Sequence, residues 1–281
     1  MRLRRLLPLT ALAAVAVVSG AGATAPANAT GPALAYAGSP VAGTARHTGG
    51  LAPAVAGPLV EATSRNWAGY AITSLATPAA TFTRVHGSWT QRPVTCPASD
   101  AWAVFWVGFD GWTNGTVEQG GSSARCVNGT PVYQLWWEMF PTNAIQPVLT
   151  INAGDSVSAD VTYDAGTGRF TITVADATQH TSFTTTQTCA AGLTCSRTSA
   201  EWIAEDVGRF GTGDFFPLAN YGRALMGNSV ATDDAGHSGS MTASSTWQRT
   251  RIQEQDATIT YATTEGASRN GQNFAVNWAH Q

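Results

Sequence analysis

From Asn66 onward the chain alternates apolar and polar positions in short runs rich in Val, Ile, Thr, Trp and Tyr, separated by Gly, Asn, Asp and Pro. A period of two sends successive side chains to opposite faces of a strand, so this texture predicts an all-β chain. Candidate strands in the first half are Trp67–Thr73, Phe82–Gln91, Ala103–Asp110, Thr116–Gln119, Val132–Phe140 and Val157–Tyr163. The second half adds Arg169–Ala175, Thr181–Thr186, Ser199–Glu205, Ser245–Arg251, Thr258–Ala262 and Phe274–Trp278. Asn114-Gly115 and Asn128-Gly129 are hairpin signals, because a type I′ turn needs positive φ at both central positions. Gly166-Thr167-Gly168 marks a looser turn. No stretch keeps a helical period over three turns and no long repeat is visible. So many antiparallel strands should pack as two sheets face to face or close into a barrel, in a single domain.

The residues before this region read differently. Arg2, Arg4 and Arg5 precede an apolar stretch from Leu6 to Val18 and then small residues, the pattern of a secretory signal over 1–29. The Ala/Gly/Pro-rich segment 30–63 is expected to be a propeptide or a disordered linker, leaving 64–281 as the folded domain. A secreted, extracellular protein follows, with no membrane association once the signal is removed and a monomer as the expected state. Export favours disulfides, and four cysteines allow three connectivities. The preferred pairs are Cys96 with Cys126 and Cys189 with Cys195. The five scattered His give no zinc pattern, and no metal or other cofactor is expected.

Composition narrows the function. An apolar share of 43% with 10 Trp supports a sizeable core. All 15 basic residues are Arg, the charged share is 12% and the net charge is -3, so there is no basic patch to hold nucleic acid. Sparing use of charge suits a protein that works in acid, where unpaired Arg would otherwise repel.

Alternation also says which polar residues sit in odd places. In Tyr133–Pro141, Trp136, Glu138 and Phe140 share one face, while Leu135, Trp137 and Met139 form an apolar face opposite. Trp106, Gly108 and Asp110 share a face, and across the next turn Gln119 shares one with Val117. In Ala200–Asp206, Glu201, Ile203 and Glu205 alternate with Trp202, Ala204 and Asp206. Ile203 between two Glu suggests a half-buried edge. Two carboxylates and a carboxamide on aromatic-flanked strands, distant in sequence, form a constellation that no one of them would suggest alone.

An ordered set of motifs sharpens this reading: RNWAGYA, WVGFDG, TVEQGG, YQLWWEMFP, GDSVSADVTY and AEWIAEDV. Together they resemble the glutamic peptidases, or eqolisins, from about Ser64 to Gln281. The resemblance implies a catalytic dyad of Gln119 and Glu205, acting on polypeptide substrates. It further implies substrate-binding or supporting roles for Trp67, Trp106, Asp110, Trp136, Glu138 and Phe140. The expected fold is an antiparallel two-sheet β-sandwich, concanavalin A-like. Two departures stand out against the fungal members: Phe140 where a Tyr is expected, and Glu118 where an apolar residue is expected, which places an extra carboxylate near the dyad. The pattern looks more like a bacterial branch.

The implied chemistry suits the residue types. A Glu205 carboxylate can take a proton from water and return it to a leaving amine, and the Gln119 amide can donate to a developing oxyanion. Activity is then expected below neutrality. A carbohydrate-hydrolysing or carbohydrate-binding sandwich is the alternative, with Glu138 and Glu205 as an acid/base pair, but it gives Gln119 no role.

Overall fold

Among the described residues every regular element is a β-strand. The computed structural model describes residues 57–209 and 212–280, with the backbone of two short strands nearer the N terminus. The segment expected to be a signal, 1–29, and most of 30–63 lie outside the described residues. The described residues form one compact unit.

In chain order the strands begin with β1 (Ala35–Tyr36), β2 (Arg46–His47), β3 (Leu59–Ser64), β4 (Trp67–Ser74) and β5 (Phe82–Thr90). They continue with β6 (Ala101–Phe109), β7 (Val117–Val127), β8 (Thr130–Phe140), β9 (Gln146–Thr150) and β10 (Ser156–Asp164). Next come β11 (Arg169–Asp176), β12 (Thr181–Thr188), β13 (Ser199–Glu205), β14 (Gly208–Arg209) and β15 (Arg223–Asp233). The last are β16 (Ser238–Ser240), β17 (Trp247–Gln255), β18 (Thr260–Thr264) and β19 (Phe274–Trp278).

One run of pairings goes β3-β17-β4-β13-β6-β7-β8-β9, and a second goes β18-β19-β15-β5-β10-β11-β12. The β17–β18 pair joins them into a continuous ladder that is antiparallel except where β3 lies parallel to β17. The two runs pack face to face. One apolar cluster takes Tyr70, Phe105, Leu135 and Trp202 from the first run and Val85, Val161, Ile172 and Phe274 from the second. Two buried indoles also bond across the layers: Trp202 Nε1 donates to His86 O at 2.8 Å and Trp89 Nε1 to Ser122 Oγ at 2.7 Å. Left unmet, each such donor would cost about 1–3 kcal/mol. The all-β antiparallel expectation therefore holds.

Ser199–Glu205 and Phe274–Trp278 have the bounds that alternation predicts, and most other strands differ by a residue or two at their ends. The larger differences have local causes. β7 runs on to Val127 because Gly120, a strand breaker by propensity, is where the layers approach: a Cβ there would lie 2.8 Å from Ile172 Cγ2. β15 escapes a period-two reading because its register shifts between Gly227 and Val230, where Asn228 takes φ 51°. Residues 59–63, read from sequence as the tail of the linker, form with Ser64 a strand, Leu59–Ser64, with alternating burial.

Three local expectations need comment. Asn128-Gly129, at φ 50° and 74°, joins β7 to β8 directly, as its sequence demands. Asn114-Gly115 does not make such a turn. The positive φ values fall at Asp110 (67°) and Gly111 (90°), and the Asn114 side chain organises the longer loop by accepting from Gly111 N and donating to Asp110 Oδ1. Nor is β13 a half-buried edge. It lies between β4 and β6 with every residue buried, which explains Ile203. Both preferred disulfides are present, Cys96–Cys126 and Cys189–Cys195.

Candidate active site

The face of the first run turned away from the second layer carries the polar residues. Strand register arranges them in rows. Across β13, β6, β7 and β8 one row reads Glu201, Gly108, Gln119, Glu138; the next reads Ile203, Trp106, Gly121, Trp136; the third reads Glu205, Val104, Ser123, Gln134. Trp67 stands beside Glu205 on β4. Glycine in two of these rows is required by close approach. A Cβ on Gly121 would lie 2.0 Å from Phe105 O, and one on Gly108 2.9 Å from Gln119 Cβ.

Aromatic packing fixes the row geometry. Trp67, Trp106, Trp136 and Ile203 are wholly buried in one cluster, with Phe140 packed at its margin. Trp67 and Trp106 meet edge to face at 4.9 Å. That contact aims the Trp106 indole at Glu205: Nε1 donates to Glu205 Oε2 at 2.7 Å. Glu205 Oε1 accepts from Asn66 Nδ2 at 3.0 Å, and Asn66 Oδ1 in turn accepts from Ser64 Oγ at 3.1 Å. Each carboxylate oxygen thus faces an N–H donor, which fixes the orientation of the carboxyl group. Gln119 Nε2 donates to Glu138 Oε2 at 3.0 Å, so the carboxamide has a fixed orientation. Gln119 and Glu205 share the face, on strands separated by β6 alone.

Asp110 stands apart from this cluster of rings. Its carboxylate accepts from Asn114 Nδ2, from the N–H groups of Arg197 and Thr198 and from Thr198 Oγ1, at 2.7–3.2 Å. Two further buried acids flank it. Burial, then the charge of Asp110, pushes Glu118 well above the usual carboxyl range, and Glu201 is pushed the same way by burial with smaller contributions from Asp110 and Glu118.

At the other end of the rows, Glu254 is wholly buried, with no donor on either oxygen among the described residues. Burial, then Asp206 and Glu205, raises it well above its ordinary value. A cavity of about 460 Å³ opens there, lined by Arg65, Asp206, Phe215, Phe216, Leu218 and Tyr261. Its Phe216 wall packs on Trp102 at 5.4 Å, which makes it continuous with the aromatic cluster. Among the described residues no group of three or more His, Cys, Asp or Glu is placed to hold a metal ion.

Sequence reading missed Ser64 and Asn66, the second donor system of Glu205. Asn66 sits in the RNWAGYA motif, but it lies outside a strand and alternation does not single it out. Glu118 and Glu201 were visible as strand carboxyls, and Glu254 lies beyond the predicted strand Ser245–Arg251; the complete burial of all three depends on neighbours distant in sequence.

Solved structures share this fold. Scytalido-glutamic peptidase, solved with a peptide-based transition-state analogue, is 22% identical with a TM-score of 0.62, over 76% of this chain and 98% of that one. SCP-B, described as a member of the eqolisin family of peptidases and solved with the tripeptide Ala-Ile-His, gives 21% and 0.61 over 76% and 98%. Aspergilloglutamic peptidase from Aspergillus niger gives 24% and 0.54 over 64% and 99%. No curated protein matches the sequence. The sequence model of the peptidase A4 family matches residues 65–275, a span that contains every strand bearing Gln119, Glu138 and Glu205, and the chain therefore belongs to that family, the glutamic peptidases.

Proposed function

We propose that the chain is an acid-acting endopeptidase whose dyad is Gln119 and Glu205, made as an exported precursor. The observation that carries this reading is the setting of Glu205: a buried carboxylate held by Asn66 and Trp106, on the same face as an oriented carboxamide. Two N–H donors hold the carboxylate in one orientation, from which Glu205 can act as general base toward water. In the reaction, Glu205 takes a proton from a water as its oxygen attacks the peptide carbonyl carbon. The electrons of the C=O bond move onto oxygen, where the Gln119 NH₂ donates to the oxyanion. Collapse of the tetrahedral intermediate breaks the C–N bond, and the proton held by Glu205 passes to the departing amine. Glu138 orients Gln119 by accepting its other hydrogen.

Trp67, Trp106 and Trp136 form the buried apolar bed behind the dyad, the half-buried Phe140 at its margin is the ring a polypeptide meets, and the cavity beside Asp206 gives room for a substrate side chain. The test is digestion of an unfolded protein between about pH 3 and pH 7, the range in which carboxyl groups titrate. The mature parent should cut in acid, and correctly folded Glu205→Gln and Gln119→Ala should be inactive. Cleavage by either variant at the parental rate removes the dyad.

A further inference from the structure

β3 lies ahead of residues 65–275, the span shared with the family, and the boundary between pro-segment and domain expected from sequence, 63/64, falls inside it. The strand is nevertheless built into the fold. It runs parallel to β17 over six residue pairs, from Leu59 opposite Arg249 to Ser64 opposite Glu254, with Val60, Ala62 and Ser64 buried. Its pairing with β2 on the other side covers only Val60 and Glu61, so β17 is the partner that holds it. Side chains add to the ladder, with Arg251 Nε donating to Glu61 Oε2 at 2.9 Å.

The seat of the strand begins before Leu59. Gly57 N donates to Ser244 O at 3.2 Å, Gly57 O accepts from Arg249 Nη2 at 3.2 Å, and Pro58 O accepts from Arg249 N at 2.9 Å. Gly57 is buried, and a Cβ on it would lie 1.7 Å from Trp247 O, so the backbone is pressed against β17 at a point where only glycine fits. Loss of Gly57 would also take an acceptor from the buried Arg249 guanidinium.

At its other end β3 delivers Ser64 to the site. The Ser64 hydroxyl accepts from the N–H groups of Asn66 and Trp67 at 3.3 and 3.2 Å and donates to Asn66 Oδ1 at 3.1 Å. An amide whose oxygen is held in this way turns its NH₂ the other way, and Asn66 Nδ2 donates to Glu205 Oε1. Without the hydroxyl the amide is free to turn over and set its oxygen against the carboxylate, where two acceptors would meet with no proton between them. Ser64, Asn66 and Glu205 are at most 3% exposed, so bulk water does not replace the bond.

We propose that β3 is a working strand of the peptidase and Ser64 a positioning residue: anchored on β17 from Gly57 onward, the strand holds the Ser64 hydroxyl on the Asn66 amide that faces Glu205, and maturation leaves the chain from Gly57 in place. The catalytic half of this statement rests on the dyad assignment above; the place of the strand in the mature domain does not.

The full chain is incubated in acid, alone and with a trace of pepsin, and intact mass with N-terminal sequencing reads the first residue of the body that survives. The expected first residue is Gly57 or one ahead of it. A surviving body that begins at Pro58 or later overturns the proposal. Kinetics on a soluble peptide then compare the parent with Ser64→Ala, Asn66→Ala and the double variant, with Ser64→Gly as a second hydroxyl-free replacement. Ser64→Ala is expected to lower kcat about threefold to tenfold with KM changed by less than about twofold, the effect of one hydrogen bond. In the Asn66→Ala background the same substitution should change kcat by less than about twofold, because the hydroxyl acts through that amide. Parental kcat in folded Ser64→Ala, or an equal further loss in the Asn66→Ala background, overturns the positioning role. So does failure of both Ser64 replacements to fold in acid, since the hydroxyl would then serve the fold and not the general base. If the surviving body begins at or before Gly57 while the parent cleaves no peptide at any pH, the strand keeps its place in the domain and the dyad assignment falls.

Discussion

Asn66→Ala isolates the support of the proposed general base. Asn66 Nδ2 donates to Glu205 Oε1 at 3.0 Å in a buried setting, and Asn66 itself is only 3% exposed. A hydrogen bond to a charged group contributes about 1.5–3 kcal/mol, and one pKa unit corresponds to about 1.4 kcal/mol. The donor favours the ionised form, so its removal should make Glu205 easier to protonate, to the extent of the support lost. The acid limb of kcat/KM against pH then moves to higher pH by the same amount. Well below both limbs the variant is about 10–100-fold slower than the parent, and above them the gap narrows. The assay is kcat/KM on a soluble peptide across the acid range, with thermal unfolding at each pH to show that the variant is folded. Trp106 still donates to Oε2 at 2.7 Å, so the carboxylate keeps its place and the change reads as a pKa effect. An acid limb within about 0.3 unit of the parent, in a folded variant, would refute the reasoning that Glu205 is the titrating base.

Two further expectations concern the frame that holds the site. Gly121→Ala forces a Cβ to within 2.0 Å of Phe105 O, and should destabilise by about 3 kcal/mol or more, whereas Gly115→Ala meets nothing within 4 Å and should change stability by less than about 0.5 kcal/mol. Equal melting temperatures for the two variants would show that β6 and β7 are not packed as described. Removing Cys96–Cys126, a 30-residue separation, should cost about 3.5 kcal/mol by loop entropy, against about 2 kcal/mol for the six-residue Cys189–Cys195 link, and denaturant unfolding of the two Cys→Ser pairs should rank them in that order.

Much of the site was legible before any coordinates. Alternation placed Glu138 with Trp136, Gln119 with Val117 and Glu205 with Ile203, and all of them do share the outer face, because a period of two is enforced by backbone geometry whatever the partner strand. What alternation could not give is which strands lie side by side. Ile203 between two Glu looked like an edge, yet β13 is central, because β4 and β6 flank it from positions about a hundred residues away in one case and more in the other. Asn114-Gly115 looked like a hairpin turn. Instead the Asn114 side chain bonds Asp110, whose own carboxylate is claimed by Arg197 and Thr198.

The sequence by itself determined the class of fold, the strand faces, the family motifs and the residues proposed as the dyad, since each of these is written in local periodicity or in ordered short patterns. The tertiary structure alone decided that Asn66 and Trp106 clasp Glu205, that Glu138 orients Gln119, and that Glu118, Glu201 and Glu254 are wholly buried carboxyls. Those properties depend on which distant strands pack over a side chain and on the dielectric they leave it in, and no local pattern of residues encodes either.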